Sequence, residues 1–245
     1  MQSADLLPGM PPLLDPRDVY AANRPGNLSP VVSSFPERVY VPNSGSDTVD
    51  VIDPRTFKIV DHFAVGREPQ HVVPSYDLKT LWVLNDMGNT LTRIDPATGR
   101  KLDTINVMDP YNMYYTPDGR YAIVVAERLR RLDFYDAQTM KVVGSVSVPC
   151  QGVDHMDFSA DGRYLIASCE FSGELIKLDV ATRTVLGTLT LPAGAMPQDV
   201  RVTPDGSIFY VADMMGNGVH EVDGSRFTLV GFIPTGAGAH GLYFS

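Results

Sequence analysis

The sequence predicts an all-β protein, a β-propeller built from four-stranded antiparallel blades. The first observation is a repeat, because five segments each run from a β-rich triplet through a polar loop to an alternating stretch that ends in aspartate, at intervals of 41–44 residues. The second is turn chemistry: Asp-Gly in three of the connecting segments supplies the backbone angles that tight hairpins need. Four short strands in about 40–45 residues, repeated in phase, are typical of a propeller blade, whereas a β-sandwich would not keep one period. The closing aspartates are Asp53, Asp95, Asp136, Asp179 and Asp223.

Within each repeat the same four strands are expected in the same order. An inner strand precedes the Asp-Gly turn, a second strand follows it, a third ends in the closing aspartate, and an outer strand follows the next turn. The first inner strand is expected in residues 28–33, LSPVVS, and the inner strand of a sixth blade in residues 236–245, GAGAHGLYFS. The sequence therefore predicts five blades plus the first strand of a sixth.

The composition limits the classes of partner. Twenty Lys and Arg stand against 29 Asp and Glu, giving a net charge of −9. An acidic chain of this kind lacks the basic surface that binding to nucleic-acid phosphates needs, so nucleic acid is not an expected partner. No apolar run approaches the roughly 18 residues of a membrane-spanning helix, and no span is expected.

Residues 1–27 are predicted to form an extended lead-in, and residues 28–245 the blades. The lead-in is rich in Pro, Gly and Asn, which favour turns and extended chain on the surface. It has no basic segment followed by an apolar stretch, so we expect no signal peptide in residues 1–27.

The first unit, VYVPNSGSDTVDVIDPRT, resembles the YVTN-type repeat of YncE-like β-propellers, and the resemblance extends over about residues 28–245. The third unit departs from it, because AERLRR replaces the usual Asn-rich loop. The resemblance implies a ring of seven blades and an extracytoplasmic location, periplasmic or secreted. Related propellers include periplasmic and surface proteins of unknown role, a DNA-binding example, lactonases, lyases, and metal- or haem-bearing oxidoreductases.

A seven-bladed ring requires more blades than the five and a strand predicted here. An inner strand without its own sheet leaves an unpaired edge, which favours association with another chain. We therefore expect this chain to be part of a longer protein or to be completed by a second chain. The isolated chain is expected to form an open arc or to self-associate through its open blade edge.

Residues at one phase of the repeat are expected to converge on the channel. Counting back from each hairpin places one polar side chain near the start of each inner strand, and a second set at the end of each second strand. Both sets are predicted to line one mouth of the channel as ligand-binding residues. The first set is His71, Asn112, His155, Asp199 and His240, and the second is Asn43, Asn85 and Asp213.

Three histidines in the first set suggest a metal site. His71, His155 and His240 are candidate ligands for copper, zinc or iron, because imidazole is the commonest protein ligand of these metals. The alternative is that polar residues simply cap the inner strands, and no HxH, HExxH or CxxC spacing favours the metal.

The two cysteines leave three alternatives open. Cys150 and Cys169 are expected on the same face as His155, where they would form a disulfide, flank the histidine as thiolate ligands, or stay separate thiols. A disulfide is the expectation for an exported protein.

Three classes of function follow. The first is an exported binding or interaction scaffold that takes a small molecule or a protein at the channel mouth. The second is a metal- or haem-dependent oxidoreductase with a histidine-lined site. The third is a lactonase- or lyase-like enzyme. No Ser-His-Asp order, phosphate loop or nucleotide fingerprint is present, which favours the scaffold.

Overall fold

The computed structural model describes residues 6–244 and confirms the all-β, propeller-type architecture. Within these residues, 19 strands form five antiparallel sheets that follow one another along the chain. Four sheets have four strands and the first has three. In the four-stranded sheets the strands run from inner to outer in chain order, and the first sheet lacks the inner strand.

The strand bounds follow the predicted repeat. The first sheet contains β1 Val39–Asn43, β2 Thr48–Asp53 and β3 Lys58–Ala64. The second contains β4 Pro69–Pro74, β5 Leu81–Asn85, β6 Thr90–Ile94 and β7 Lys101–Asn106. The third contains β8 Pro110–Tyr115, β9 Tyr121–Ala126, β10 Arg131–Asp136 and β11 Val142–Ser147. The fourth contains β12 Val153–Phe158, β13 Tyr164–Cys169, β14 Glu174–Asp179 and β15 Thr184–Thr190. The fifth contains β16 Pro197–Val202, β17 Ile208–Asp213, β18 Gly218–Asp223 and β19 Thr228–Pro234.

Two predicted inner strands are not formed. Residues 28–33 make turns instead of a strand, with Val32 N–H donating to the Ser29 carbonyl at 3.1 Å. Pro30 has no N–H to contribute to a strand ladder, which explains why the first sheet begins only at β1. Residues 236–244 also form no strand, since three glycines there weaken strand formation. The prediction for Ser245, like that for residues 1–5, lies outside the described residues.

The inner strands lie side by side around the channel. β4 contacts β8, and β12 contacts both β8 and β16; on its other side β4 contacts β1, because the first sheet has no inner strand. Residues 236–244 run beside β16, where Asp199 N–H approaches the His240 carbonyl at 3.3 Å. A seven-bladed ring stays a prediction.

The hydrophobic core lies between neighbouring sheets. Consecutive residues of the middle strands are buried, as expected for sheets packed on both faces, and the buried residues include Ile123, Phe134, Leu165 and Phe209. The described part of the lead-in crosses the sheets near the Asp-Gly turns, where Leu7 N–H donates to the Asp161 carbonyl at 2.8 Å. Among the described residues, no helix has the length and apolar character needed to cross a membrane.

Candidate functional site

The in-phase polar residues come together in one cavity of about 520 Å³. His71, Asn112, His155 and Asp199 are each the third residue of an inner strand, β4, β8, β12 and β16. His240 completes the set from the segment beside β16. The rings of His71 and His155 have centroids 5.6 Å apart, and those of His155 and His240 are 6.1 Å apart.

A bulge at the start of each inner strand aims these side chains. The pairing register shifts between Pro69 and His71 and between Pro110 and Asn112, with equivalent shifts at the starts of β12 and β16. A bulge places two residues opposite one, bends the strand and re-aims a side chain. Proline suits the first position because it has no N–H to donate to the ladder. The cavity then continues along the inner strands past Val73.

His155 has its hydrogen bonds on one side only. Its Nδ1 lies 3.2 Å from both the Asn112 Nδ2 and the Tyr114 hydroxyl. Because the Asn112 Oδ1 accepts the Met113 N–H at 2.8 Å, its Nδ2 is the donor and the Nδ1 of His155 accepts. The proton of the neutral ring therefore resides on Nε2, which is buried without a hydrogen-bond partner among the described residues.

Burial keeps the paired histidines uncharged. Burial, together with the neighbouring His71, His240 and Arg201, lowers the pKa of His155 to about 3. Burial also lowers the pKa of His71, against a favourable hydrogen bond from its Nδ1 to the Tyr111 carbonyl at 2.8 Å. A carbonyl can only accept, so His71 carries its proton on Nδ1 and presents a lone pair on Nε2.

The Asp199 carboxylate interacts with groups other than the His155 ring. Its Oδ1 forms an ion pair with the Arg201 guanidinium at 2.9 Å and accepts the Val200 N–H at 3.1 Å, and its Oδ2 accepts the Leu242 N–H at 3.0 Å. The separation of 4.0 Å between Asp199 Oδ1 and His155 Nδ1 is too long for a hydrogen bond. Burial raises the pKa of Asp199, while the Arg201 charge opposes that rise.

The predicted second set does not reach this cavity. Asn43, Asn85 and Asp213 lie at the ends of β1, β5 and β17, and each bonds to the next strand of its own sheet. The Nδ2 of Asn85, for example, donates to the Thr92 hydroxyl at 3.0 Å, and Asp213 accepts from the His220 Nε2 at 2.9 Å. The structure therefore separates them from the five in-phase residues.

The cavity also contains residues that the repeat alignment did not select. Tyr114 and Arg201 line it from positions two residues after Asn112 and Asp199. Because alternate residues of a strand share a face, the same alternation could have identified both. Tyr243 lines the cavity from the segment beside β16 and stacks near Arg201, 5.1 Å from its guanidinium carbon.

The hydrogen bonds of the histidines indicate which of them could bind the predicted metal. Within residues 6–244, no group of three or more His, Cys, Asp or Glu side chains is placed to hold a metal ion. His71 has the arrangement of a metal ligand, with Nδ1 fixed by a carbonyl and Nε2 free. His155 does not fit one in this arrangement, because its Nε2 carries the proton and its Nδ1 accepts from Asn112. The assignment of copper, zinc or iron to His71, His155 and His240 stays a prediction.

A disulfide joins Cys150 to Cys169, with an S–S distance of 2.07 Å and Cα atoms 6.0 Å apart. The bond connects the segment before β12 to the end of β13, and Val153 pairs with Cys169 in the sheet. It therefore fixes the start of the strand that carries His155.

Comparisons with known proteins agree with this architecture. No curated protein matches the chain. Among solved structures, the chain is similar to the hydrazine synthase of Kuenenia stuttgartiensis, with a TM-score of 0.63, 18% sequence identity, and coverage of 82% of this chain and 84% of that one. Identity at this level indicates a shared fold only. A family model described as a YNCE-like beta-propeller matches residues 18–244, which confirms the family resemblance. The chain belongs to the YNCE-like β-propeller family.

Proposed function

We propose that this protein is an extracytoplasmic binding scaffold that holds a small polar molecule in its channel, against His155. The observation that carries the proposal is the unpartnered Nε2–H of a buried histidine in the wall of a 520 Å³ cavity. Leaving a buried donor unpaired costs about 1–3 kcal/mol, and a ligand that supplies an acceptor recovers this free energy. The cavity volume lies within the roughly 300–1,000 Å³ of small-molecule sites.

The protonation states indicate the chemistry of the ligand. His155 offers a donor and His71 an acceptor, on rings 5.6 Å apart. The guanidinium of Arg201 adds a positive charge that Asp199 partly offsets. A molecule with adjacent acceptor and hydroxyl groups, as in a hydroxy acid or a sugar, would pair with both histidines at once.

The extracytoplasmic location is supported by the disulfide. Disulfides persist in oxidising compartments and are uncommon in reducing ones. The Cys150–Cys169 bond lies beside the strand of the proposed site, so an oxidising environment would preserve both the bond and the position of His155.

The oxidoreductase alternative is favoured by one observation, the free Nε2 of His71. The hydrogen bonds of His155 favour the binding scaffold instead. No observation specifically favours the lactonase- or lyase-like alternative.

The experiment compares the full chain with the His71→Ala/His155→Ala double variant. Amide NMR spectra are recorded during titration with glycolate and, separately, with D-glucose, and the purified protein is assayed for copper, zinc and iron. We expect at least one probe to shift the amides around His71, Asn112 and His155 in the parent protein. We expect the double variant to lose this response with little change in melting temperature.

The matched control is His62→Ala, which removes an exposed histidine on the outer strand β3 and should leave binding unchanged. Equal binding by the double variant, or no response to either probe, would contradict the proposal. If the parent protein contains stoichiometric metal and the double variant does not, the site is a metal centre and the scaffold proposal is wrong.

A further inference from the structure

A second cavity, of about 430 Å³, lies on the outer part of the fifth sheet and is separate from the channel. We call it the outer cleft and define it by the 192–195 loop, Asp213, Met215, His220 and Phe232. The loop connects β15 to β16, whereas Phe232 comes from the outer strand β19. None of the channel histidines lines it.

The polar wall of the outer cleft is an acid–imidazole pair. The Nε2 of His220 lies 2.9 Å from the Asp213 Oδ2, and both side chains are buried. The Asp213 Oδ1 accepts the backbone N–H groups of Met196 and Gly216 at 2.9 and 2.8 Å. Burial opposes ionisation of Asp213, but these donors and His220 outweigh it and hold the carboxyl pKa below its ordinary value.

An ionised Asp213 determines the tautomer of His220. A carboxylate only accepts, so Nε2 donates and the neutral ring keeps its lone pair on Nδ1. Nδ1 has no hydrogen-bond partner in the described part of the chain, and it is not among the atoms sealed from solvent. The outer cleft therefore contains a fixed imidazole with an acceptor available to a ligand.

This pair departs from the pattern of the other sheets. At the corresponding positions, the first sheet pairs Asn43 with Asp50 and the second pairs Asn85 with Thr92. Both pairs use an amide that donates, and neither contains a ring. Of the five described sheets, the fifth alone has a carboxylate and an imidazole at these positions.

The remaining walls are apolar and suit a flat ring. Phe232 is 45% exposed, and its ring lies 4.9 Å from that of His220. Met215 is 63% exposed, and Leu229 extends the apolar wall. Gly218 permits this arrangement, because a Cβ there would collide with the Phe232 ring. Within residues 6–244, no Lys or Arg lines the outer cleft, which disfavours an anion beside Asp213.

We propose that the outer cleft binds a small uncharged phenol, whose ring packs on Phe232 and whose hydroxyl donates to the Nδ1 of His220. Pairing a buried acceptor with a hydroxyl discriminates strongly against an analogue that lacks it. The apolar walls supply the affinity, and the imidazole supplies the selectivity for the hydroxyl.

The test titrates the full chain with 4-methylphenol and with toluene, which has the same shape without the hydroxyl, and follows amide and imidazole NMR signals. We expect 4-methylphenol to shift the signals of β18, β19 and the 192–195 loop, and to bind at least tenfold more tightly than toluene. In His220→Phe this preference should fall below twofold.

A second variant tests the outer cleft without changing the buried Asp213–His220 pair. Ala193→Trp places a bulky ring in the outer cleft from its exposed loop and should weaken 4-methylphenol binding at least tenfold. His71→Ala, in the channel, should leave it unchanged. Equal affinity for the two probes, signals that shift only around the channel, or normal binding by Ala193→Trp would overturn the proposal.

Discussion

The channel and the outer cleft each contain a buried histidine, yet the two imidazoles have opposite surroundings. His155 is 7% exposed and His220 is 4% exposed. The Nε2 of His220 lies 2.9 Å from a carboxylate oxygen. The Nε2 of His155 has no partner among the described residues, and the Asp199 Oδ1 lies 4.0 Å from its Nδ1. Burial alone therefore does not decide the role of a histidine. The partner on each ring nitrogen decides which side of the ring is available to a ligand.

The two sites also differ in what their carboxylates do. Asp213 secures a hairpin by accepting two backbone N–H groups and an imidazole. Asp199 instead forms an ion pair with Arg201 and accepts a backbone N–H from the segment beside β16. We therefore expect removal of Asp213 to affect folding, and changes at His155 to affect binding and proton uptake.

The largest expected effect is that of Asp213→Ala. The substitution leaves three donors without their acceptor, and we expect the free energy of unfolding to fall by about 4 kcal/mol. Urea denaturation measures the change. The control is His62→Ala, which breaks an exposed pair with Asp50 and should cost less than about 0.5 kcal/mol. A loss below about 1 kcal/mol for Asp213→Ala would show that the acid does not secure the hairpin.

The next effect concerns the disulfide beside the channel. Replacing Cys150 and Cys169 together by Ser should lower the free energy of unfolding by about 3 kcal/mol. The disulfide joins residues 19 positions apart, and without it the unfolded chain gains conformational entropy. The imidazole NMR signals of His155 should shift, since Cys169 pairs with Val153 on the same strand. Those of His220 should not. Unchanged His155 signals would show that the disulfide does not position His155.

The smallest effect depends on pH and comes from the depressed pKa of His155. An unfolded imidazole takes up a proton near pH 6.5, whereas the folded one does so only near its pKa of about 3. Its contribution to stability is therefore present above pH 6.5 and is lost as the pH falls toward 3. Between pH 7 and 5 the parent protein should lose about 2 kcal/mol relative to His155→Gln.

The comparison with His155→Gln is needed because Asp157 acts in the opposite direction. Burial raises the pKa of that carboxyl to about 6, so Asp157 stabilises the fold as the pH falls. The difference between the two proteins should be constant above pH 8, where both forms of His155 are neutral. A difference that is also constant between pH 7 and 5 would contradict the low pKa.

Much of the fold was predictable because its signal is local and repeated. The closing aspartates, such as Asp53 and Asp179, end the third strands as expected. The exceptions are segments whose backbone opposes strand pairing. Residues 28–33 contain Pro30, and residues 236–244 contain three glycines, so neither forms the inner strand that the period predicts.

The site was predictable only as far as the repeat phase determines it. One phase brings His71, Asn112 and His155 together because inner strands adjoin around a channel. The repeat does not predict hydrogen-bond partners, and the tautomer of His155 depends on the orientation of the Asn112 amide. The outer cleft depends on the approach of the 192–195 loop to β19, which no repeat specifies.

The central claim is that His155 lines the channel cavity with a neutral ring whose buried Nε2–H has no partner among the described residues. Histidine ¹⁵N NMR on the full chain tests it directly, because a protonated and an unprotonated ring nitrogen have distinct shifts. We predict that His155 keeps its proton on Nε2 and stays neutral from pH 8 down to pH 5, and that its Nε2 signal moves when a channel ligand binds. A proton on Nδ1, or titration near pH 6.5, would contradict the account.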